Sequence, residues 1–290
     1  MRRSLLLTVS GCVLLSLHPE GRAGTGDELD RSALGKLTFS EEMEAPPGIY
    51  QPETRQGTWE TKYWFGDPNG ISSRTWDGLV DIAVDEAYAG VKSWELKEGV
   101  LHLISYRVPR PEDPVFAGRE FTQSVLTTAR SFSQQYGYFE ACLQYPDDPG
   151  FWPCFWLWSR EGGLGNEIDI AEGQTAAQDK IYNAIHLRHT WKEAPGGEMI
   201  RKELTDTVAV PVEDIGKPHV YGLLWTAEEL VWYRDGQETL RRRNEGFHDP
   251  MFLILSMGMG GWEEGNKPGP ETKLPNRFLI DWVRVYELKP

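Results

Sequence analysis

Short runs of strand character recur along almost the whole of this 290-residue chain, and convincing helical periodicity is nearly absent. The runs fall at residues 36–40, 100–106, 124–131, 138–145, 152–158, 167–172, 180–187, 219–225, 230–234, 251–256 and 278–286. Clusters of Gly, Pro and Asp separate them, and the chain has 30 Gly and 19 Pro to supply the turns. Asp235-Gly236, directly after Trp232-Tyr233, is a two-residue hairpin signal. Brief helical patches are expected only near Glu228 and Phe247. No internal repeat is visible. This pattern predicts an all-β chain folded as an antiparallel two-sheet β-sandwich. The length suits one substantial core and is short for two full domains.

The segment Glu167-Ile168-Asp169-Ile170-Ala171-Glu172 puts three carboxylates into six residues, with apolar residues between them. A strand alternates faces with period two, so Glu167 and Asp169 share a face. A regular strand would turn Glu172 to the other side, and one β-bulge before it restores all three to a single face. Three crowded acids repel one another and push their pKa values apart. One group can then stay ionised while another keeps a proton, which is the chemistry of glycoside hydrolysis. A half-buried strand with a solvated polar face would show the same alternation. The neighbouring run Gly150-Phe151-Trp152-Pro153-Cys154-Phe155-Trp156-Leu157-Trp158 favours the chemical reading. Sugars offer C–H faces to aromatic rings and hydroxyls to carboxylates. Trp152 and Trp156 are evenly spaced and share a face, as sugar platforms or as core.

The formal net charge is −14. Residues 1–23 carry Arg2, Arg3 and Arg22 against Glu20, a net of +2, which leaves −16 for the rest. Nucleic acid is disfavoured as a partner, because phosphate binding needs a basic surface. Strongly sulfated polymers are disfavoured unless the cleft is locally basic. Residues 1–23 read as a signal peptide: a basic start, an apolar run from Leu5 to Leu17 and small residues before cleavage after Ala23. The apolar run is too short for a transmembrane span. Val9-Ser10-Gly11-Cys12 also has the form of a lipidation signal, so Cys12 is an alternative anchor. The domain reading is a signal peptide at 1–23, a flexible segment at 24–36 and one catalytic domain at 37–290, secreted, periplasmic or at the cell surface and acting as a monomer. Folding 136–158 as a hairpin about Asp147-Asp148-Pro149-Gly150 would set Cys142 opposite Cys154. A disulfide and two separately buried thiols are both open.

Two motifs lead elsewhere. Met257-Gly258-Met259-Gly260-Gly261 lacks a full dinucleotide fingerprint and a following helix. His186 and His189 are three apart on an expected strand, so they face opposite sides and make a poor metal pair.

Several further motifs carry a resemblance. Phe39-Ser40-Glu41-Glu42, Tyr136-Gly137-Tyr138-Phe139-Glu140, the Trp152–Leu157 run and the acidic motif come first. Tyr221-Gly222-Leu223-Leu224-Trp225-Thr226, Trp232-Tyr233-Arg234-Asp235-Gly236, Pro250-Met251-Phe252-Leu253-Ile254-Leu255 and Asp281-Trp282-Val283-Arg284-Val285-Tyr286 follow. In this order they resemble glycoside hydrolase family 16, and residues 121–186 are most similar to its bacterial laminarinase and exopolysaccharide-depolymerase branches. The resemblance implies a jelly-roll sandwich with a substrate cleft across its concave sheet, a polysaccharide substrate and no required cofactor. It implies Glu167 as nucleophile, Asp169 as the helper between the acids and Glu172 as acid/base, in a retaining mechanism whose carboxyl groups stand ~5–5.5 Å apart. His186 resembles the family histidine near the acid/base, with a satisfied cleft-edge or core histidine as the alternative. Arg74 resembles an early arginine associated with sugar contacts, although the segment that usually follows it is replaced here by Trp76-Asp77-Gly78-Leu79-Val80-Asp81. Glu42 and Asp281 match positions that hold a structural calcium in some members. Positions 142 and 154 are commonly Arg and Ala in this pattern, and both are Cys here.

The expectation is therefore a secreted endo-acting β-glycanase, with β-1,3- or mixed-linkage glucan foremost. A lectin-like sandwich, a transglycosylase and a sulfated-galactan hydrolase are the alternatives on the same scaffold.

Overall fold

The computed structural model describes residues 22–23, 26–67, 69–159, 165–193 and 199–290. Two sheets make up almost all of it. The first runs β1(Arg22–Ala23), β14(Gln237–Arg243), β13(Glu229–Arg234), β12(His219–Trp225), β7(Gly137–Gln144), β16(Asn276–Leu288), β5(Val100–Ser105), β4(Trp94–Lys97), with β2(Leu34–Glu41) also on β16. The second runs β11(Met199–Pro211), β10(Lys180–Glu193), β9(Glu167–Glu172), β8(Phe151–Ser159), β15(Met251–Met259), β6(Phe121–Thr127), β3(Asp81–Ala83). All strand pairs are antiparallel except β3 with β6. The single α-helix among the described residues, Glu86–Ala89, is one turn long. The sequence-based sandwich is what the chain forms.

Period-two alternation builds the core and the cleft from the same strands. On β8, Phe155 and Leu157 point into the core, while Trp152, Cys154, Trp156 and Trp158 point to the outer face. Phe139, Ala141, Leu223, Trp225, Val283 and Val285 of the first sheet meet Phe155, Leu157, Ile168, Ile170, Leu253 and Leu255 of the second. Asp235 and Gly236 turn β13 into β14 with φ of 51° and 79°, the positive pair that a type I′ hairpin requires.

Strands β1, β3, β4, β11 and β14 exceed the sequence expectation. Strand β14 holds Arg241-Arg242-Arg243, so the basic run lies within the return strand of the hairpin. Arg241 pairs with Glu229 and Glu238, and Arg242 with Asp206. No helix forms at Glu228 or Phe247. Thr226 Oγ1 accepts the Glu228 and Glu229 N–H groups and turns the chain there.

Two expectations are corrected. The proposed leader and Cys12 lie outside the described residues, apart from Arg22–Ala23 on β14. The segment 24–36, expected to be loose, is anchored over residues 27–36. Leu29 N–H donates to Gly236 O at 2.8 Å, Leu34 is buried, and Arg31 binds both oxygens of the fully buried Glu140 at 3.2 and 2.8 Å. A buried carboxylate needs such a partner, and that need holds the segment down. The cysteine pairing also fails. Strands β7 and β8 are not a hairpin: residues 145–150 cross from one sheet to the other. Cys142 lies in the first sheet beside Val220 and Trp282, Cys154 faces the cleft of the second, and both are free. Unfolding without reductant should therefore leave both thiols open to alkylation. Mass spectrometry that found them joined would contradict this topology.

Candidate active site

The expected bulge is present in β9. Glu167, Ile168 and Asp169 pair with Trp158, Leu157 and Trp156 on β8, and the register then shifts before Ala171 and Glu172 pair with Phe155 and Cys154. The shift recurs against β10, where Asp169 faces Ala184 and Glu172 faces Tyr182. A bulge disrupts the ladder and strands backbone groups, which must be satisfied elsewhere. Three consecutive carbonyls receive side-chain donors here. Trp232 Nε1 donates to Asp169 O at 2.9 Å, Asn183 Nδ2 to Ile170 O at 2.6 Å, and the Tyr145 hydroxyl to Ala171 O at 2.9 Å. Two of these donors rise from the core beneath, so the packing of the sandwich fixes the register of the acids.

All three acids open into a cleft of about 540 Å³ on the outer face of the second sheet. Tyr63, Trp64, Phe65, Trp76, Trp152, Trp156, Trp158 and Trp262 line it. The acids differ in their partners. Glu167 accepts from Arg188 Nη1 at 2.9 Å. Asp169 Oδ2 lies 3.5 Å from His186 Nε2. Glu172 Oε1 accepts from Trp152 Nε1 at 2.7 Å, Trp262 Nε1 at 2.6 Å and Gln174 Nε2 at 3.3 Å.

These partners divide the protons. Burial raises the pKa of all three, most strongly at Asp169, where the charges of Glu167 and Glu172 add to it. The Arg188 guanidinium opposes the rise at Glu167, and the indole and amide donors oppose it at Glu172. Asp169 is thus the acid most readily kept neutral, and Glu167 has the cation that an anion needs. Burial, then Arg188, lowers the pKa of His186 to about 4, so its imidazole is neutral beside Asp169. The arrangement supplies an anion and a proton donor on one wall of an aromatic cleft, the requirement of a two-carboxylate glycosidase.

The model of glycosyl hydrolases family 16 matches residues 96–284. The chain belongs to glycosyl hydrolases family 16. Endo-1,3-1,4-beta-glycanase ExsH of Rhizobium meliloti is 30% identical over 268 residues, covering 90% of this chain and 53% of that protein. The chain therefore spans about half the length of the first curated relatives it matches. The beta-glucanase of Rhodothermus marinus is 28% identical over 310 residues, 99% of this chain and 94% of the relative. The catalytic domain of an endo-1,3-beta-glucanase (laminarinase) from Thermotoga petrophila aligns with a TM-score of 0.66 at 24% identity, over 88% of this chain and 98% of that one. At that identity the likeness shows the jelly-roll fold.

Within this family 16 chain, Glu167, Asp169, Glu172, Trp152, Trp156 and His186 all meet at the cleft. Trp156 donates to Ser256 Oγ at 3.2 Å and packs edge-on against Trp64 and Trp158. Arg74 is the exception. It lies in a separate depression, buried, with its guanidinium given to Ala83 O and Asp85 Oδ2 at 3.1 Å each and stacked 3.7 Å over Tyr88. It braces the 74–88 segment and does not reach the cleft. The calcium pair does not fit either. Arg284 grips both Glu42 oxygens at 2.8 and 2.7 Å, a guanidinium standing where a cation would, and Asp281 is exposed. Glu42 is held down at a pKa of about 2 by Arg284 first. Glu167, Asp169 and His186 do offer ligand atoms within 4.8 Å of one another, but Arg188 already supplies the positive charge at Glu167.

Sequence reasoning missed several cleft residues. Trp158 and Arg188 were legible in principle, since each follows a chosen residue, Trp156 or His186, by two along a strand. Arg188 stacks 5.1 Å over Trp158 as well as pairing with Glu167. Trp64, Trp76 and Trp262 come from loops, where no period marks them. Asp81, buried on the cleft floor, accepts from Gln123 Nε2 at 3.0 Å and Met259 N–H at 2.6 Å, and burial pushes it up to about 7.

Proposed function

We propose that this family 16 chain is a retaining endo-β-glucanase acting on β-1,3-containing glucans, mixed-linkage chains included. The observation that carries the reading is the bulged strand, which turns Glu167 and Glu172 into one aromatic cleft with opposite partners. Glu167 attacks the anomeric carbon, and Glu172 gives its proton to the leaving glycosidic oxygen. Water then enters, Glu172 takes a proton from it, and the Glu167–sugar ester breaks with net retention. Asp169, neutral between them, tunes Glu167, and neutral His186 orients Asp169. The relatives named for β-glucan cleavage support the substrate class.

Charge supports a neutral polymer. Among the described residues lining the cleft, Arg188 is the one side chain of fixed positive charge, and it is committed to Glu167 and Trp158. A sulfated chain would need convergent guanidinium or ammonium groups. Indole faces bind glucose rings without charge. We read the enzyme as exported and monomeric, with the 1–23 leader removed. The test is reducing-end release from β-1,3-glucan, mixed-linkage glucan, succinoglycan-type polymer, agarose and carrageenan. Oligosaccharides of internal cleavage should come from the first two. Release from carrageenan alone would overturn the substrate class and leave the acids' roles standing.

A further inference from the structure

The glycine run Met257–Gly261, no dinucleotide fingerprint, has a place in the cleft instead. Gly260 and Gly261 adopt φ of +79° and +124°. A Cβ at Gly261 would lie 2.1 Å from Gln174 Oε1, so the chain turns tightly against that amide. The turn carries Trp262 back over β9. The residue is 52% exposed, yet its indole N–H ends on Glu172 Oε1 at 2.6 Å. Trp152 on β8 donates to the same oxygen at 2.7 Å.

The third donor is oriented by a relay. Asn266 Oδ1 accepts the N–H groups of Gly150 and Ala176 at 3.0 and 2.8 Å, so its amide nitrogen must turn the other way. That nitrogen donates to Gln174 Oε1 at 3.0 Å, which leaves Gln174 Nε2 to face Glu172. Asn266 and Gln174 are both fully buried. Lys180 binds Glu263 at 2.6 Å, and Tyr182 packs edge-on to Trp262 with centroids 4.7 Å apart. The loop is thus pinned on both sides of the tryptophan.

We propose that Trp262 and Trp152 are positioning residues that hold Glu172 by Oε1 and thereby reserve Oε2 as the oxygen that carries the transferable proton. The proposal rests on the reading of Glu172 as acid/base. An oxygen that already accepts three N–H groups has no lone pair left for a proton, while the other oxygen is free to present one. The same donors favour the anion, against burial, which raises the pKa of Glu172. Other titratable groups around Glu172 are Cys154 on β8, Lys180, Tyr182, His186 and Arg188 on β10, Asp81 on β3, Tyr145 beneath the bulge and Glu263 on the loop. The groups that donate to its carboxylate are instead the two indoles and the Gln174 amide.

Trp262→Phe and Trp152→Phe keep an aromatic ring and remove one donor each. Loss of a donor destabilises the anion, so the alkaline limb of kcat/KM should move to higher pH by roughly one pH unit in each variant. The drop should fall on kcat more than on KM, which separates positioning from sugar stacking. A second readout needs no activity. In protein labelled with ¹⁵N-tryptophan, the indole N–H signals of Trp152 and Trp262, assigned from the two Phe variants, should titrate together. Glu172→Gln should abolish that titration. Indole signals that ignore pH, or an alkaline limb unmoved in both variants, would overturn the positioning role. Full activity in Glu172→Gln would instead overturn the acid/base reading beneath it.

Discussion

Glu167→Gln should lower kcat about 10⁴-fold or more, and Glu172→Gln about 10²–10⁴-fold, with the fold intact. The two acids divide one reaction, so neither substitutes for the other. Glu167 lies against the Arg188 guanidinium at 2.9 Å, and an amide there cannot attack carbon. Glu172 is held by neutral donors, and an amide there cannot give up a proton at working pH. Gln matches Glu in shape and removes a charge from a crowded, buried cluster. The thermal midpoint of Glu172→Gln should therefore equal or exceed that of the parent, whereas Glu167→Gln leaves Arg188 without its carboxylate and should melt at or below it. Azide separates the roles on aryl β-glycosides with a good leaving group. In Glu172→Ala the glycosyl–Glu167 ester still forms, and azide displaces it with retained configuration. In Glu167→Ala azide takes the nucleophile's place while Glu172 serves as acid, and the product is inverted. Parental activity in either Gln variant, or the same stereochemistry from both Ala variants, would sink the assignment.

The sequence disclosed what local period controls. Alternation on residues 152–158 put Trp152 and Trp156 on one face, and the odd spacing of Glu172 called for a bulge that the structure contains. Asp235-Gly236 announced its hairpin in the same way. What depends on which sheet a strand joins was not legible. Residues 145–150 look like a turn whether they join neighbours or cross between layers, so Cys142 and Cys154 were misplaced together. Strand β11 and the return strand β14 were passed over because edge and near-edge strands are polar along much of their length. The loop-borne Trp64, Trp76 and Trp262 have no periodic signature, and only folding brings them to the acids. Arg74 and Glu42 were placed by resemblance, and here each spends its charge on a structural partner, Asp85 or Arg284.

Trp232→Phe should cost roughly 2–4 kcal/mol of stability, far more than a conservative aromatic exchange on the surface. Trp232 is fully buried on β13 of the first sheet, and its indole N–H crosses the core to Asp169 O at 2.9 Å. Phenylalanine leaves a void in a close-packed core and an orphaned carbonyl at the bulge. Both losses fall under the strand that carries the three acids. Ala171 O keeps its bond from Tyr145 and Ile170 O keeps its bond from Asn183, so the register shift survives with one tether fewer. Activity should fall with stability, and the loss should appear in kcat, because Trp232 touches no part of the cleft. Denaturant unfolding measures the first effect and steady-state kinetics well below the unfolding midpoint the second. A Tyr145→Phe variant provides the comparison: it removes the neighbouring carbonyl's donor with almost no change in volume, and so should cost only about 1–2 kcal/mol. Equal stability losses in the two variants would assign the whole effect to the hydrogen bond. A Trp232→Phe protein as stable and active as the parent would show that the bulge holds its register without help from the opposite sheet.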